Sequence, residues 1–175
     1  MEELGHDWDV STSEEFSLDL LLEYDAVFVG GPSVDNSVLI DYVNQGGNVY
    51  LAGATGLGGA VSEAARWNEF LGEFGLEFES AYNGITGVIA VFDSPHPVFE
   101  GVEIFQDNGQ TIIDLDPNDR RGAIVARQDE LGLFAIYDSR EATTEETYRY
   151  DVVAVDPDND PVSYTHLTLP TNREV

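Results

Sequence analysis

Two apolar runs constrain this chain more than any other feature. "DAVFVGG" (25–31) and "NVYLAG" (48–53) are short, each ends in glycine, and each leads into a stretch whose apolar residues recur every three or four positions. A run of that kind suits a strand buried on both faces, and the spacing after it suits an amphipathic helix. Strand, helix, strand, helix is the βαβ pattern of a parallel sheet, so the expected class is α/β.

The helical stretches carry their own punctuation. In "DNSVLIDYVNQGG", Val38, Leu39, Tyr42 and Val43 share a face and Gly46 stands at the expected stop. Ala60, Ala64, Trp67, Leu71 and Phe74 form the corresponding stripe in the next helix. Upstream, Ser13 is expected to cap a short helix over "EEFSLDLLLEY", with Glu14 and Glu15 in the first turn, where negative charge is favoured. Downstream, "LEFESAY", "TGVIAVF", "QTIIDL", "GAIVA", "GLFAIYD" and "YRYDVVAV" read as further strands. Tyr24, Tyr42, Tyr50, Trp67 and Phe74 fall on core-facing positions, whereas Trp8, Tyr82 and Tyr137 are free to line a sugar or aromatic pocket.

Charge narrows the partners. Acidic residues number 34 against seven basic ones, all arginine, and the net charge is −27. Such a surface repels phosphate backbones and anionic lipid, which argues against nucleic acid and membrane insertion. The acids are scattered rather than blocked and the apolar fraction is 42%, so a folded core with a solvated acidic shell is expected. Acidic excess without lysine fits a saline habitat, where salt screens self-repulsion; an acidic exported protein is the alternative. The absence of cysteine removes disulfides, thiolate nucleophiles and cysteine zinc sites together. The sequence as written has no apolar run of about 18 residues and no basic region leading into an apolar one, hence neither a membrane span nor a signal peptide.

One end looks foreign to the domain and the other looks cut. "PVSYTHLTLPTNREV" matches one reading frame of a transposase-type sequencing adapter, with Val162–Thr171 as its fixed part, Asn172–Glu174 as the index and Val175 before an in-frame stop. His166 and Tyr164 therefore carry no functional weight. Met1–Gly5 followed by "HDWDVS" reads as the close of a helix feeding a strand, which leaves the sheet without its usual first strand. The expected division is an N-terminally truncated α/β domain over 1–140, a hydrophilic loop with a last strand or the start of a following segment over 141–160, and an adapter-derived tail over 161–175.

With these runs placed, "YDAVFVGG", "YVNQGGNVYLAG" and "SPHPVFEGV" together resemble the type 1 glutamine amidotransferase-like superfamily over roughly Leu4 to Asp138. The resemblance implies a three-layer, flavodoxin-like, mostly parallel sheet with helices on both faces. In catalytic members a cysteine sits on the sharp turn after the strand corresponding to "NVYLAG", and a later His and Glu complete a triad. Thr55 lies nearest that position here, so the resemblance implies the fold and argues against amidotransferase activity. It also implies a non-catalytic binding or structural module of a larger, exported or cell-surface prokaryotic protein, whose partners are other domains of the same parent chain. Cytoplasm in a halophile is the alternative location.

Candidate sites follow from the loops. A ligand at the carboxyl edge of the sheet would meet Gly30, Gly31, Ser33, Gly53, Thr55, Gly56 and Gly58. A glycine-rich turn into a helix also suits a phosphate, but Val61 stands where a dinucleotide fingerprint needs its third glycine, even though Glu79 falls near the ribose-acid distance. The turn is therefore expected mainly to redirect the chain, with no base near the Thr55 hydroxyl. The alternative is a hydrolase-like enzyme in which His96, oriented by Glu100 or Asp93, activates Thr55. No cofactor is expected. The oxygen-rich loops Asp114, Asp116, Asn118, Asp119 and Asp156, Asp158, Asp160 have a partial form suited to Ca²⁺ but lack the glycine and glutamate that complete an EF-hand.

Overall fold

The computed structural model describes residues 7, 9–11, 15–31, 34–90, 96–99, 101–107 and 109–139. The chain divides into two units, Glu15–Glu141 and Met1–Glu14 with Ala142–Val175, and every described element belongs to the first. Ser13, Glu14, Trp8, Ser33, Asp93, Glu100, "YRYDVVAV", the Asp156–Asp160 loop and the adapter-like tail lie outside the described residues.

The order is α1 (Leu18–Leu21), β1 (Ala26–Gly30), α2 (Asn36–Asn44), β2 (Asn48–Ala52), α3 (Gly59–Glu73), β3 (Leu76–Tyr82), β4 (Gly87–Ala90), a 3₁₀ turn (Pro97–Phe99), β5 (Ile104–Asp107), β6 (Gln110–Asp114), β7 (Gly122–Gln128) and β8 (Leu131–Tyr137). The α/β class holds. β1 pairs with β2 in parallel, whereas β3–β6, β4–β5 and β7–β8 are antiparallel. Among the described residues the strands therefore form four two-stranded sheets with one parallel ladder, in place of the mostly parallel sheet expected. β5, which carries no alternation strong enough to be singled out, completes the β4 ladder.

Local chemistry explains the helix ends. Ser17, extended at φ −120°, caps α1 by accepting the Leu20 N–H, so α1 starts at Leu18 and Asp19 supplies its first-turn carboxylate. Asp35 caps α2 by accepting from the Ser37 N–H at 3.0 Å and its hydroxyl at 2.7 Å. Gly46, at φ 94°, ends α2 at the expected stop.

The core assembles on one face of the parallel pair. Val27 and Val29 join Leu39, Tyr42, Ala64, Trp67, Phe70, Leu71, Phe74, Leu76 and Phe78 in one cluster. The five stripe positions expected for α3 are all buried, Trp67 completely. β1, however, alternates rather than being buried on both faces: Phe28 is 55% exposed and stacks at 5.3 Å on Tyr50, itself 46% exposed. Tyr24 is exposed too, so of the aromatic residues assigned to the core Tyr42, Trp67 and Phe74 are buried and Tyr24 and Tyr50 are not. Phe134 of β8 approaches Tyr50 from the second face.

Side chains finish the strand edges. Asn68 of α3 donates to the Phe78 carbonyl and accepts the Phe78 N–H, both at 3.0 Å, which occupies the edge of β3 opposite β6, where among the described residues no strand pairs. β7 and β8 are joined by Asp129 and Glu130, both left-handed at φ 48° and 70°. A two-residue turn of that geometry favours Asn-Gly, so the double replacement Asp129→Asn, Glu130→Gly is expected to raise stability by about 1 kcal/mol in chemical denaturation.

Candidate elbow at the carboxyl end of β2

β2 ends at Ala52, and the chain reaches α3 through Gly53–Gly58. This turn is unusually left-handed: Ala54 (φ 56°), Gly56 (77°), Gly58 (85°) and Gly59 (78°) all have positive φ. Glycine adopts that region freely, but Ala54 does so against steric cost, of order 1 kcal/mol or more. The strained residue of the strand-to-helix turn therefore has a methyl group as its side chain.

Thr55, the next residue, is held from α3. Glu63 is completely buried, and its Oε1 accepts the Thr55 N–H at 2.6 Å and the Thr55 hydroxyl at 2.5 Å. A base thus does stand beside the Thr55 hydroxyl, contrary to expectation, and it is a carboxylate of α3 rather than His96. The Tyr82 hydroxyl lies 3.4 Å from Glu63 Oε2. Loss of solvation, then the neighbouring Glu63 charge and hydrogen bond, push the Tyr82 phenol above its ordinary value.

Two further side chains tie the elbow to the rest of the unit. Arg66, three residues beyond Glu63, donates to the carbonyls of Gly31 at 2.7 Å and Leu57 at 3.2 Å, linking the turns after β1 and β2. Gln110 of β6 donates from Nε2 to Ala60 in the first turn of α3 and to Glu79, both at 3.0 Å. Glu79 lies where the β3–β6 register shifts, between Phe78 and Tyr82. There the carboxamide supplies a donor to a carbonyl in an interrupted stretch of the ladder. Asn36 donates to the Arg66 carbonyl at 2.9 Å, fastening α2 to the same helix.

A phosphate fits this elbow poorly. The N-terminus of α3 has no side-chain cap, which would favour an anion, but the buried Glu63 carboxylate already stands near its positive end and takes the Thr55 N–H.

The other sequence-derived candidates divide into a glycine group that gathers and a set that disperses. Gly30, Gly31, Gly53, Thr55, Gly56 and Gly58 do gather at the carboxyl ends of β1 and β2, and a Cβ on Gly30 would lie 3.5 Å from the Thr55 methyl. His96 makes no hydrogen bond to Thr55; its Nδ1 accepts the Val98 N–H at 3.1 Å and its carbonyl accepts the Phe99 N–H. The Thr55–His96 pair is thus not assembled. Asp114 and Asp116 each accept the backbone N–H two residues on, and Asp119 forms a forked ion pair with Arg121 at 2.8 Å. Asn118 donates its N–H within the same loop. Among the described residues no three His, Cys, Asp or Glu side chains converge on a metal-sized position. Tyr137 packs on Phe74 at 4.8 Å and under the Arg121 guanidinium, so it belongs to packing rather than to an open aromatic pocket.

Sequence reasoning missed Glu63, Arg66, Tyr82 and Gln110 as a group. One signal was present: Glu63 lies three residues after Ala60 and four before Trp67, so it interrupts the apolar face of α3 with a carboxylate. A charge at a core-facing position needs partners, and the nearest polar turn was the glycine loop. Gln110 carries no such signal, because its partners come from α3 and β3.

His96 carries a pH dependence. Burial lowers its pKa, and the Asp138 charge offsets part of that effect. A folded-state value below the unfolded one, about 6.5, means a contribution present above that pH and lost as pH falls through the folded value. Protonation also removes the lone pair that accepts the Val98 N–H. His96→Gln is therefore expected to lose less melting temperature between pH 7 and pH 5 than the parent chain.

No helix among the described residues is long and apolar enough to cross a membrane. Compared with known proteins, the chain matches no family model, no curated protein and no solved structure.

Proposed function

We propose that the chain is a non-catalytic ligand-binding or structural module of a larger, exported prokaryotic protein, built on a flavodoxin-like, amidotransferase-like plan whose clearest part is β1–α2–β2–α3. The observation that carries this reading is the turn after β2: its one strained non-glycine residue, Ala54, bears a methyl group, and Thr55, the residue nearest the position of the catalytic cysteine, is tied to the helix. Thr55 beside it donates its hydroxyl to a buried carboxylate that also takes its amide, an arrangement that suits a loop anchor. The glycines from both turns line the carboxyl ends of the parallel strands β1 and β2, where ligands of open α/β sheets bind.

A second reading has one observation in its favour. The 2.5 Å contact is also the geometry of a carboxylate poised to take the Thr55 proton, as a hydrolase would require. A turnover panel of activated esters, glutamine and simple amides separates the two. The module reading expects no rate above buffer, unchanged by Thr55→Ala. Turnover that is abolished by Thr55→Ala and kept by Thr55→Ser would establish the enzyme instead.

A further inference from the structure

Two buried oxygens at the elbow have spare accepting capacity. Glu63 Oε1 carries both Thr55 bonds, whereas Oε2 has only the long 3.4 Å approach of the Tyr82 hydroxyl. Gln110 is 4% exposed, and its Oε1 has no hydrogen-bond partner. Both side chains meet the same short segment. Glu63 reaches it at Thr55, and a Cβ built on Gly53 would lie 3.3 Å from Gln110 Oε1. Tyr82 and Gln110 oppose each other across β3 and β6.

The charge balance has a sign. No ion pair among the described residues includes Glu63, and Arg66 directs its guanidinium to the Gly31 and Leu57 carbonyls. A buried carboxylate without a cation is unfavourable, and a bound anion would add a second negative charge beside it. Two spare acceptors and one uncompensated charge call for a ligand that is positive and only donates. Ammonium has three donors and no acceptor.

Resting on the binding-module reading, we propose that the elbow receives a small molecule through a primary ammonium group, which donates to Glu63 Oε2 and Gln110 Oε1 when Tyr82 moves aside. Tyr82 is suited to that movement, since it ends β3 and is 48% exposed. The net charge of −27 raises the local concentration of such cations.

The test titrates the full ¹⁵N-labelled chain with methylammonium chloride, with potassium chloride and sodium phosphate as separate titrants at equal ionic strength. Methylammonium is expected to shift the Gln110 carboxamide and Thr55 amide resonances saturably, and the other two salts are expected not to. Tyr82→Phe removes the competing donor from an exposed side chain and is expected to tighten binding about two- to fivefold, while Glu63→Gln weakens it about tenfold or more. Equal shifts with potassium, shifts of the Gly56–Ala60 amides with phosphate alone, no response, or weaker binding in Tyr82→Phe would each overturn the ammonium site. Turnover dependent on Thr55 would overturn the module reading and leave the ammonium site standing.

Discussion

Glu63→Ala is expected to lower stability by about 3 kcal/mol, among the largest effects of any single replacement outside the aromatic core. Two losses combine. The Thr55 N–H loses its acceptor at 2.6 Å, and a completely buried side chain leaves a cavity against the base of the turn. Glu63→Gln keeps the shape and one carbonyl oxygen for Thr55, so its cost is expected to be nearer 1 kcal/mol. Urea denaturation of the three chains gives the order directly. Equal stability of Glu63→Ala and the parent would mean that the carboxylate does not hold the elbow.

Gly132→Ala is expected to be about as damaging for a different reason. A Cβ there would lie 2.4 Å from the Ile112 carbonyl oxygen and 2.9 Å from the Ile124 side chain, so β8 could keep its approach to β6 only by shifting backbone. Overpacking against backbone has few ways to relax, and a loss of about 3 kcal/mol follows. Gly72→Ala is the matched control. Gly72 lies within α3, is exposed, and has nothing within 4 Å of its Cβ position, so that replacement is expected to gain about 0.5–1 kcal/mol. A destabilised Gly72→Ala with an unaffected Gly132→Ala would contradict the packing described for β6 and β8.

The legible part of the fold was the part governed by local periodicity. The stripe from Ala60 to Phe74 and the Gly46 stop are properties of a single helix and its end, and both hold in the structure. Strand burial was less legible, because Ala26–Val29 is apolar at every position whether one face or two are covered. Phe28 and Tyr50 show the outcome: they stack on each other and remain half-exposed. Ladder direction was illegible for the later strands, since it depends on partners distant in sequence, such as Leu76 with Asp114.

The elbow divides along the same line. Its glycines were conspicuous in sequence because left-handed backbone selects them, but the strained residue among them is an alanine, which leaves no compositional trace. Glu63 was visible as a carboxylate on an apolar helix face. Tyr82 and Gln110 reach the elbow only because β3 and β6 pair beside α3, and no spacing along the chain encodes that.

The account turns on Thr55 being fastened to Glu63 rather than standing free as a nucleophile, and amide hydrogen exchange at Thr55 measures this most directly. Thr55 is an exposed residue in a glycine-rich turn, whose amide would otherwise exchange freely. The account predicts protection on the order of 100-fold or more in the parent chain, falling sharply in Glu63→Ala while amides in the middle of α3 keep theirs. A Thr55 amide that exchanges at the unprotected rate in the parent chain would contradict it.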